Sequence, residues 1–471
     1  MQQKESKMAF LKSLIGDKAF YKRAFSLAVP VMVQMGITNF VNLLDNIMVG
    51  RISTEAMSGV SIVNQFIFIF NLLIFGSLSG AGIYTVQFYG NSENKGIRYS
   101  FRFKVIAAVL ISAVGISAFF VFDDLLINTF LFEENSEGDL ALTLALGKDY
   151  LRIMLIGLLP YALSQVYAST LRETEISVPP MVASVVAVGT NFVLNYLLIF
   201  GKLGLPEMGV KGAALATVVS RFVELGILVV WAHTNTKRCP YLKGAYRSFD
   251  IQRDLVRAML LKGLPLMANE FFWSTSVTLR NRCYATRGLE AIAAQNISST
   301  VMNVVSVIYM SFGTVISIMV GAHLGAGEID EAKRTNRKLL ACAAACGLGV
   351  GLFLITFSGV FPMLYKTSSY VRSLAGSMMI VSGVLMSFQA FSHASYFSIR
   401  SGGNVLLTFF LDSGFMWMCV IPITLIFSEF TDISLIPLYI VGQGSEIFKL
   451  IFALIIFKKG TWTRRLVGNN T

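Results

Sequence analysis

Apolar stretches of about 20 residues or more, each long enough to cross a bilayer as a helix, recur near 24–49, 57–89, 101–122, 147–171, 178–200, 209–233, 255–284, 290–323, 338–361, 376–399, 405–427 and 435–457. Inside hydrocarbon the backbone must satisfy its own hydrogen bonds, so a chain with this pattern is confined to a helical bundle. The sequence therefore predicts an all-α polytopic membrane protein with twelve transmembrane helices and both termini on one side. Composition agrees. Of 471 residues, 55% are hydrophobic and 14% charged, with mean hydropathy +0.65, too little charge to coat a soluble body of this size.

A net charge of +12 would suit a nucleic-acid partner, but the basic residues lie between the apolar runs. With a cytoplasmic amino terminus, the inner segments hold 27 of the 39 Lys and Arg residues, the pattern that orients membrane proteins. The charge is topological, and no nucleic acid is expected. Both termini are placed in the cytoplasm and the chain in the plasma membrane. The loop 123–139 is acidic, with Asp123, Asp124, Glu133, Glu134, Glu137 and Asp139. The amino-terminal residues carry Lys4, Lys7, Lys12, Lys18, Lys22 and Arg23 without the apolar core of a signal peptide. Met8–Phe20 is amphipathic and is expected to lie along the membrane surface. Cys239, Cys283, Cys342, Cys346 and Cys419 lack the companions of a metal site and read as small packing residues.

The two halves repeat. An offset of 235 takes Pro30 to Pro265, Leu44 to Leu279, Asn46 to Asn281, Glu55 and Ala56 to Glu290 and Ala291, Gly90 to Gly325, and Glu93 to Glu328. A second offset, 228, takes Ser164 to Ser392 and Leu171-Arg172 to Ile399-Arg400. Repeats of six helices in one orientation are related by an axis along the membrane normal. The expected architecture is two pseudo-symmetric six-helix lobes around a central cleft. The first lobe is 1–233 with its amphipathic leader, a basic linker follows at 234–254, and 255–471 forms the second lobe and a basic tail.

Several polar residues interrupt the apolar runs. Gln34, Thr38, Asn42 and Asp45 recur at helical spacing, so the first span presents a polar face to a cavity. A carboxylate at bilayer-centre depth costs about 2.5–3.5 kcal/mol and is usually kept for a task. Glu270 lies well inside the seventh span, with Trp273 one turn on as an aromatic neighbour for an organic cation. Arg280, beside Asn281, is the repeat counterpart of Asp45. It reads as half of a charge pair across the cleft that closes one gate, as an anion-binding wall, or as a snorkelling side chain, the last being favoured for Arg282 and Arg287. Arg221 with Glu224, and Glu446 with Lys449, are i,i+3 pairs with structural roles. His393 is a hydrogen-bonded interhelical histidine or a proton shuttle, and Asp412 is a third intramembrane carboxylate with no evident partner. Pro30 frees a carbonyl and lets the first helix bend.

Three stretches resemble the multidrug and toxic compound extrusion (MATE) transporters of the MOP flippase superfamily. They are PVMVQMGITNFVNLLDNIMVG from Pro30 to Gly50, NFVLNYLLIFGKLGLPEMGVKGAALATVVS from Asn191 to Ser220, and GNSENKGIR from Gly90, echoed by GAGEIDEAKR from Gly325. The resemblance implies export of organic compounds in exchange for H⁺ or Na⁺. It also implies a cation-coupling site of Asp45, Asn191, Asn195 and Thr217, with Na⁺ at Asp45 as one occupant and no structural metal. Asn191 and Asn195, at i and i+4, set two amides on one face.

The favoured function is an antiporter that exports amphipathic, cationic organic compounds by alternating access. The alternatives are a flippase for a lipid-linked saccharide or an exporter of an organic anion. A membrane enzyme or receptor is disfavoured, because no nucleophile is paired with a base and no phosphate loop is present. No cofactor is expected. The partners implied are small organic substrates and the bilayer, with the chain acting as a monomer.

Overall fold

The computed structural model describes residues 14–128 and 139–468, apart from the side chains of Asn42, Leu43, Asn46, Ile47 and Asn128. Twelve long helices run through it, and no strand occurs among the described residues. They are α1 Lys18–Gly50, α2 Thr54–Gly90, α3 Asn94–Val121, α4 Leu140–Glu173, α5 Val178–Ile199 and α6 Gly209–Thr234. The second set is α7 Arg253–Ala285, α8 Leu289–Ala326, α9 Ile329–Phe357, α10 Ser369–Ser401, α11 Val405–Glu429 and α12 Leu435–Lys459. Ten are long and apolar enough to cross a membrane. The other two, α4 and α7, are of similar length but interrupt their apolar surface with Lys148, Asp149 and Arg152 or with Lys262, Glu270 and Arg280.

Local chemistry sets the helix ends. Asp139, Ser368 and Asn404 cap α4, α10 and α11 by accepting from the backbone N–H three residues on, which satisfies one otherwise orphaned donor. Gly327 and Gly460, at φ 83° and 68°, close α8 and α12 in the left-handed conformation that glycine adopts without strain. Of the amphipathic segment expected at Met8–Phe20, residues 8–13 lie outside the described range, while Lys18–Phe20 open α1 itself. In the acidic loop, Glu133, Glu134 and Glu137 are outside that range. Asp123 and Asp124 pair with Lys148, and Asp123 also with Arg152.

Packing groups the chain into two compact units. The amino unit is Val33–Thr85 with Asn94–Met267, and the carboxy unit combines the chain up to Met32 with Val86–Glu93 and everything from Ala268. These units differ from lobes cut at the linker, because α1, α2 and α7 each change unit along their length. The changes in α1 and α7 fall two residues after a proline, at Met32 after Pro30 and at Met267 after Pro265, positions that the 235-residue offset superimposes.

In the carboxy unit, Ala24, Leu27 and Ala28 of α1 are buried with Phe312, Val315, Ile316 and Met319 of α8. In the amino unit the corresponding contact joins α2 to α7. Gly80 faces Gly263 with no room for a Cβ, and a Cβ on Gly76 would lie 2.6 Å from the Met267 Cα. A further crossing, inside the carboxy unit, obeys the repeat directly. Gly90 of α2 abuts the Ala322 backbone of α8, and Gly325 of α8 abuts the Gln87 backbone of α2. The offset carries Gln87 to Ala322 and Gly90 to Gly325, so each glycine meets the image of its partner's neighbour.

Two polar anchors fix the linker and the carboxy-terminal tail. Arg102 donates to the carbonyls of Ala245, Asp250 and Gly244 at 2.8, 3.0 and 3.1 Å, and Arg98 to that of Tyr241 at 3.0 Å. The basic linker is thereby held on α3. Burial pushes the Tyr241 hydroxyl well above its usual range, which keeps it a neutral phenol. In the carboxy unit, Gln87 donates to the carbonyls of Ser401 and Arg464 at 3.1 and 3.2 Å and accepts from the Leu466 N–H at 2.7 Å, tying the tail to α2.

Candidate functional site

Asp45 comes from α1, Asn191 and Asn195 from successive turns of α5, and Thr217 from α6. These four are brought together inside the amino unit. The Asn195 amide donates to Asp45 Oδ1 at 2.6 Å and to Asn191 Oδ1 at 3.1 Å. The Asn191 amide donates to Thr217 Oγ1 at 3.1 Å, and the Thr217 hydroxyl donates to the Ala213 carbonyl at 3.1 Å. Turned over, the Asn191 amide would instead donate to Asp45 Oδ1 and Oδ2 at 3.0 and 3.1 Å and accept from Thr217. Both asparagines are buried, at 5% and 1% exposure.

The chemistry follows from donors and acceptors. An ionised carboxylate only accepts, whereas a protonated one has a hydrogen to give. Amides that can present either NH₂ or oxygen suit both states, and they equally suit a cation that needs oxygens. Asn195 Oδ1 is buried with no hydrogen-bond partner among the described residues, so it has lone pairs to offer. Arg221, one turn beyond Thr217, acts electrostatically on the Asp45 carboxylate. It stacks 4.6 Å over the Tyr161 ring and pairs with Glu224 at 3.5 Å, the i,i+3 pair that the sequence predicts.

The other residues of the polar face of α1 are engaged elsewhere. Gln34 accepts from Arg172 at 3.2 Å, and Thr38 donates to the Gln34 carbonyl at 2.8 Å. Eleven residues separate Gln34 from Asp45, about 16 Å along a helix, so they belong to different levels of the unit. The Asn42 side chain lies outside the described residues. Beside Arg172, a fully buried Lys104 bonds Glu173 at 2.5 Å and the hydroxyls of Ser169 and Thr170 at 3.3 Å.

Glu270 belongs to the carboxy unit and to a second polar cluster. The Tyr396 hydroxyl donates to Glu270 at 3.3 Å, and the neighbouring Asn269 amide bonds Tyr396 at 3.3 Å and Asp412 at 3.1 Å. Lys449 reaches Asp412 at 3.3 Å and Glu446 at 3.8 Å, and Arg280 is bonded to Glu446. Asp412, for which the sequence offers no partner, thus has two. Arg280 has a partner that none of its three expected settings includes, an acid of its own unit. Trp273 and Asn281 are exposed, and the Trp273 carbonyl accepts from Ser276 of the same helix.

Two further residues acquire definite partners. Arg287, expected to snorkel, donates to the carbonyls of Ile433, Ser428 and Thr431 at 2.8, 3.1 and 2.8 Å, at the end of α11 and in the loop that follows it. His393 bonds the Met310 carbonyl at 3.3 Å, between α10 and α8. Sequence reasoning passed over Arg172, Asn269 and Tyr396. A signal for Asn269 was present, since the 235-residue offset superimposes it on Gln34.

Comparisons with known proteins agree with this architecture. A family model described as MatE matches residues 30–197 and 265–426. A relative from Thermotoga maritima, named probable multidrug resistance protein NorM, is 25% identical over 456 residues, covering 95% of this chain and 94% of its own length. Multidrug resistance protein NorM of Photobacterium profundum is 23% identical over 418 residues, covering 85% and 86%. Among solved structures, the outward-facing conformation of a multidrug resistance MATE family transporter of the MOP superfamily superimposes with a TM-score of 0.84. It is 20% identical and covers 95% of this chain and 98% of the other, a likeness of fold.

Proposed function

The chain belongs to the MatE family, and from that premise we propose that it is a secondary active antiporter exporting amphipathic organic compounds, cationic ones foremost, in exchange for H⁺ or Na⁺. The observation that carries this reading is Asp45, a carboxylate inside a membrane-spanning helix whose hydrogen-bond partners among the described residues are the amides of Asn195 and, turned over, Asn191. A single negative charge in such a setting must be neutralised before it can lose water. A proton or a cation entering from outside does this, and the two asparagines turn their amides to match the new state. Helix α1 then changes its bend at Pro30, and alternating access carries the substrate outward. No cofactor takes part.

The names of the relatives, multidrug resistance proteins, support drugs as the substrate class, and the basic segments between the spans support cytoplasmic termini in the plasma membrane. The chain acts as a monomer, in contact with the bilayer and with small organic molecules. One observation favours the alternative of an organic anion: Arg221, with 36% of its side chain exposed, offers a guanidinium inside a membrane-spanning helix.

The test is efflux of a fluorescent organic cation from proteoliposomes under a pH gradient or a Na⁺ gradient imposed separately, with wild type beside Asp45→Asn. Flux driven by one ion and lost in the variant is the expected result. Dye that follows neither gradient, together with flux of an aromatic anion lost in Arg221→Met, would replace this reading by the anion exporter.

A further inference from the structure

Three carboxylates gather in the carboxy unit, Glu270 on α7, Asp412 on α11 and Glu446 on α12. Two of them share a cation that is already part of the chain. The Lys449 ammonium stands 3.3 Å from Asp412 Oδ1 and 3.8 Å from Glu446 Oε2, with 5% of its side chain exposed. The remaining oxygens are used. Asn269 donates to Asp412 Oδ2 at 3.1 Å, and Arg280 donates to Glu446 Oε1. Two acids and two bases balance, the bases buried and the acids half-buried.

The backbone is irregular where it carries these groups. Helix α11 is π-helical over Phe410–Gly414, which brings Asp412 and Ser413 together onto α7, where the Ser413 hydroxyl donates to the Asn269 carbonyl at 2.7 Å. Helix α12 tightens into a 3₁₀ turn over Ser445–Ile447, and that turn carries Glu446. Such turns have poorer hydrogen-bond geometry and concentrate at functional sites. A merely structural Glu446–Lys449 pair at i,i+3 would need neither, since a regular helix already sets them side by side.

We propose that Lys449 is a tethered cation: its ammonium fills a monovalent-cation site formed by Asp412 and Glu446, so that site is neutralised from within and takes no ion from solution. A lysine ammonium is a compact point charge, and its tether keeps it at a high effective concentration that a dissolved ion must outcompete. Taken with the reading of Asp45 as the coupling group, on which this consequence rests, the exchanged ion binds in the amino unit and not between Asp412 and Glu446.

The test is binding of sodium, which does not depend on transport. The melting temperature of the purified full-length chain is measured in about 100 mM NaCl and in choline chloride at equal ionic strength, for wild type, K449M and K449M/D412N, because an ion that binds only the folded state raises it. K449M is expected to gain about 3 °C or more from sodium, while the double variant, short of a carboxylate, gains nothing. Recovery of folded K449M only in sodium would support the site equally. A folded K449M indifferent to sodium, or one recoverable in neither salt, overturns the proposal, because an opened cation site refills from solution. A wild-type response to sodium that survives D45N and disappears in D412N also overturns it, and needs no variant at Lys449. Failure of the coupling reading would show separately, as ion-driven efflux retained by D45N.

Discussion

Around Asp45 the described side chains offer amide hydrogens and amide oxygens, with the Thr217 hydroxyl behind them, and no carboxylate among the described residues is bonded to it. We expect Asp45→Asn to abolish ion-driven efflux while the chain still folds, since an amide in that place keeps the contacts to Asn195 without the charge. Asn195→Ala removes a hydrogen bond to a charged acceptor, worth about 1.5–3 kcal/mol. Efflux is therefore expected to fall about tenfold or more at limiting ion gradient, read as initial rate in proteoliposomes. At Arg280 the expectation concerns stability. Arg280→Met leaves Glu446 to Lys449 alone, and breaking a buried pair costs about 3–5 kcal/mol, whereas Arg280→Met with Glu446→Gln should recover most of the lost melting temperature. Recovery no better than the single variant would mean that the guanidinium packs rather than pairs. Asp45 was legible because depth in an apolar run is a one-dimensional property. Asp412–Lys449 was not, because the two are 37 residues apart on different helices, and sequence spacing pointed Lys449 only to Glu446.

Elements repeat the lesson on a larger scale. Hydropathy places the twelve spans, but α1, α3, α9 and α10 begin several residues earlier than their apolar cores, in turns that carry polar residues and that a hydropathy window does not see. Helix α4 begins earlier because an apolar stretch, 140–146, lies ahead of Lys148 and Asp149. The π and 3₁₀ turns of α11 and α12 have no sequence signature, because they answer to partners on another helix. The glycine crossings test this scale directly. Gly90→Ala and Gly325→Ala would each drive a methyl group into the backbone of the opposing helix, an overpacking that costs about 1–3 kcal/mol. Both should lower the melting temperature, while Gly349→Ala in α9, with nothing within 4 Å of the added carbon, should leave it unchanged or raise it. Equal effects at the three positions would mean that α2 and α8 separate easily there.

On the scale of the whole molecule, the internal repeat was legible and the composition of the units was not. An offset shows which residues are equivalent; it does not show that α1 and α7 pass from one unit to the other, since helix exchange leaves the register untouched. Prolines 30 and 265 stand just before those passages, where a missing backbone N–H makes bending cheapest. Replacing either by alanine restores a hydrogen bond and straightens the helix. Each variant is expected to keep or raise the melting temperature and to slow efflux severalfold, measured together on one preparation. Unimpaired efflux in Pro30→Ala would remove bending of α1 from the mechanism.

The packing of Ala24, Leu27 and Ala28 against α8 also sets an order of events during synthesis. Those residues leave the ribosome about 290 residues ahead of Phe312, roughly 15–60 s at ordinary elongation rates. For that interval the first turns of α1 lack the α8 neighbours that bury them in the finished chain, and the translocation machinery or the lipid must shelter them. A segment made well before its partner thus waits to be buried, and a ribosome that stalls between the two leaves α1 half unpacked.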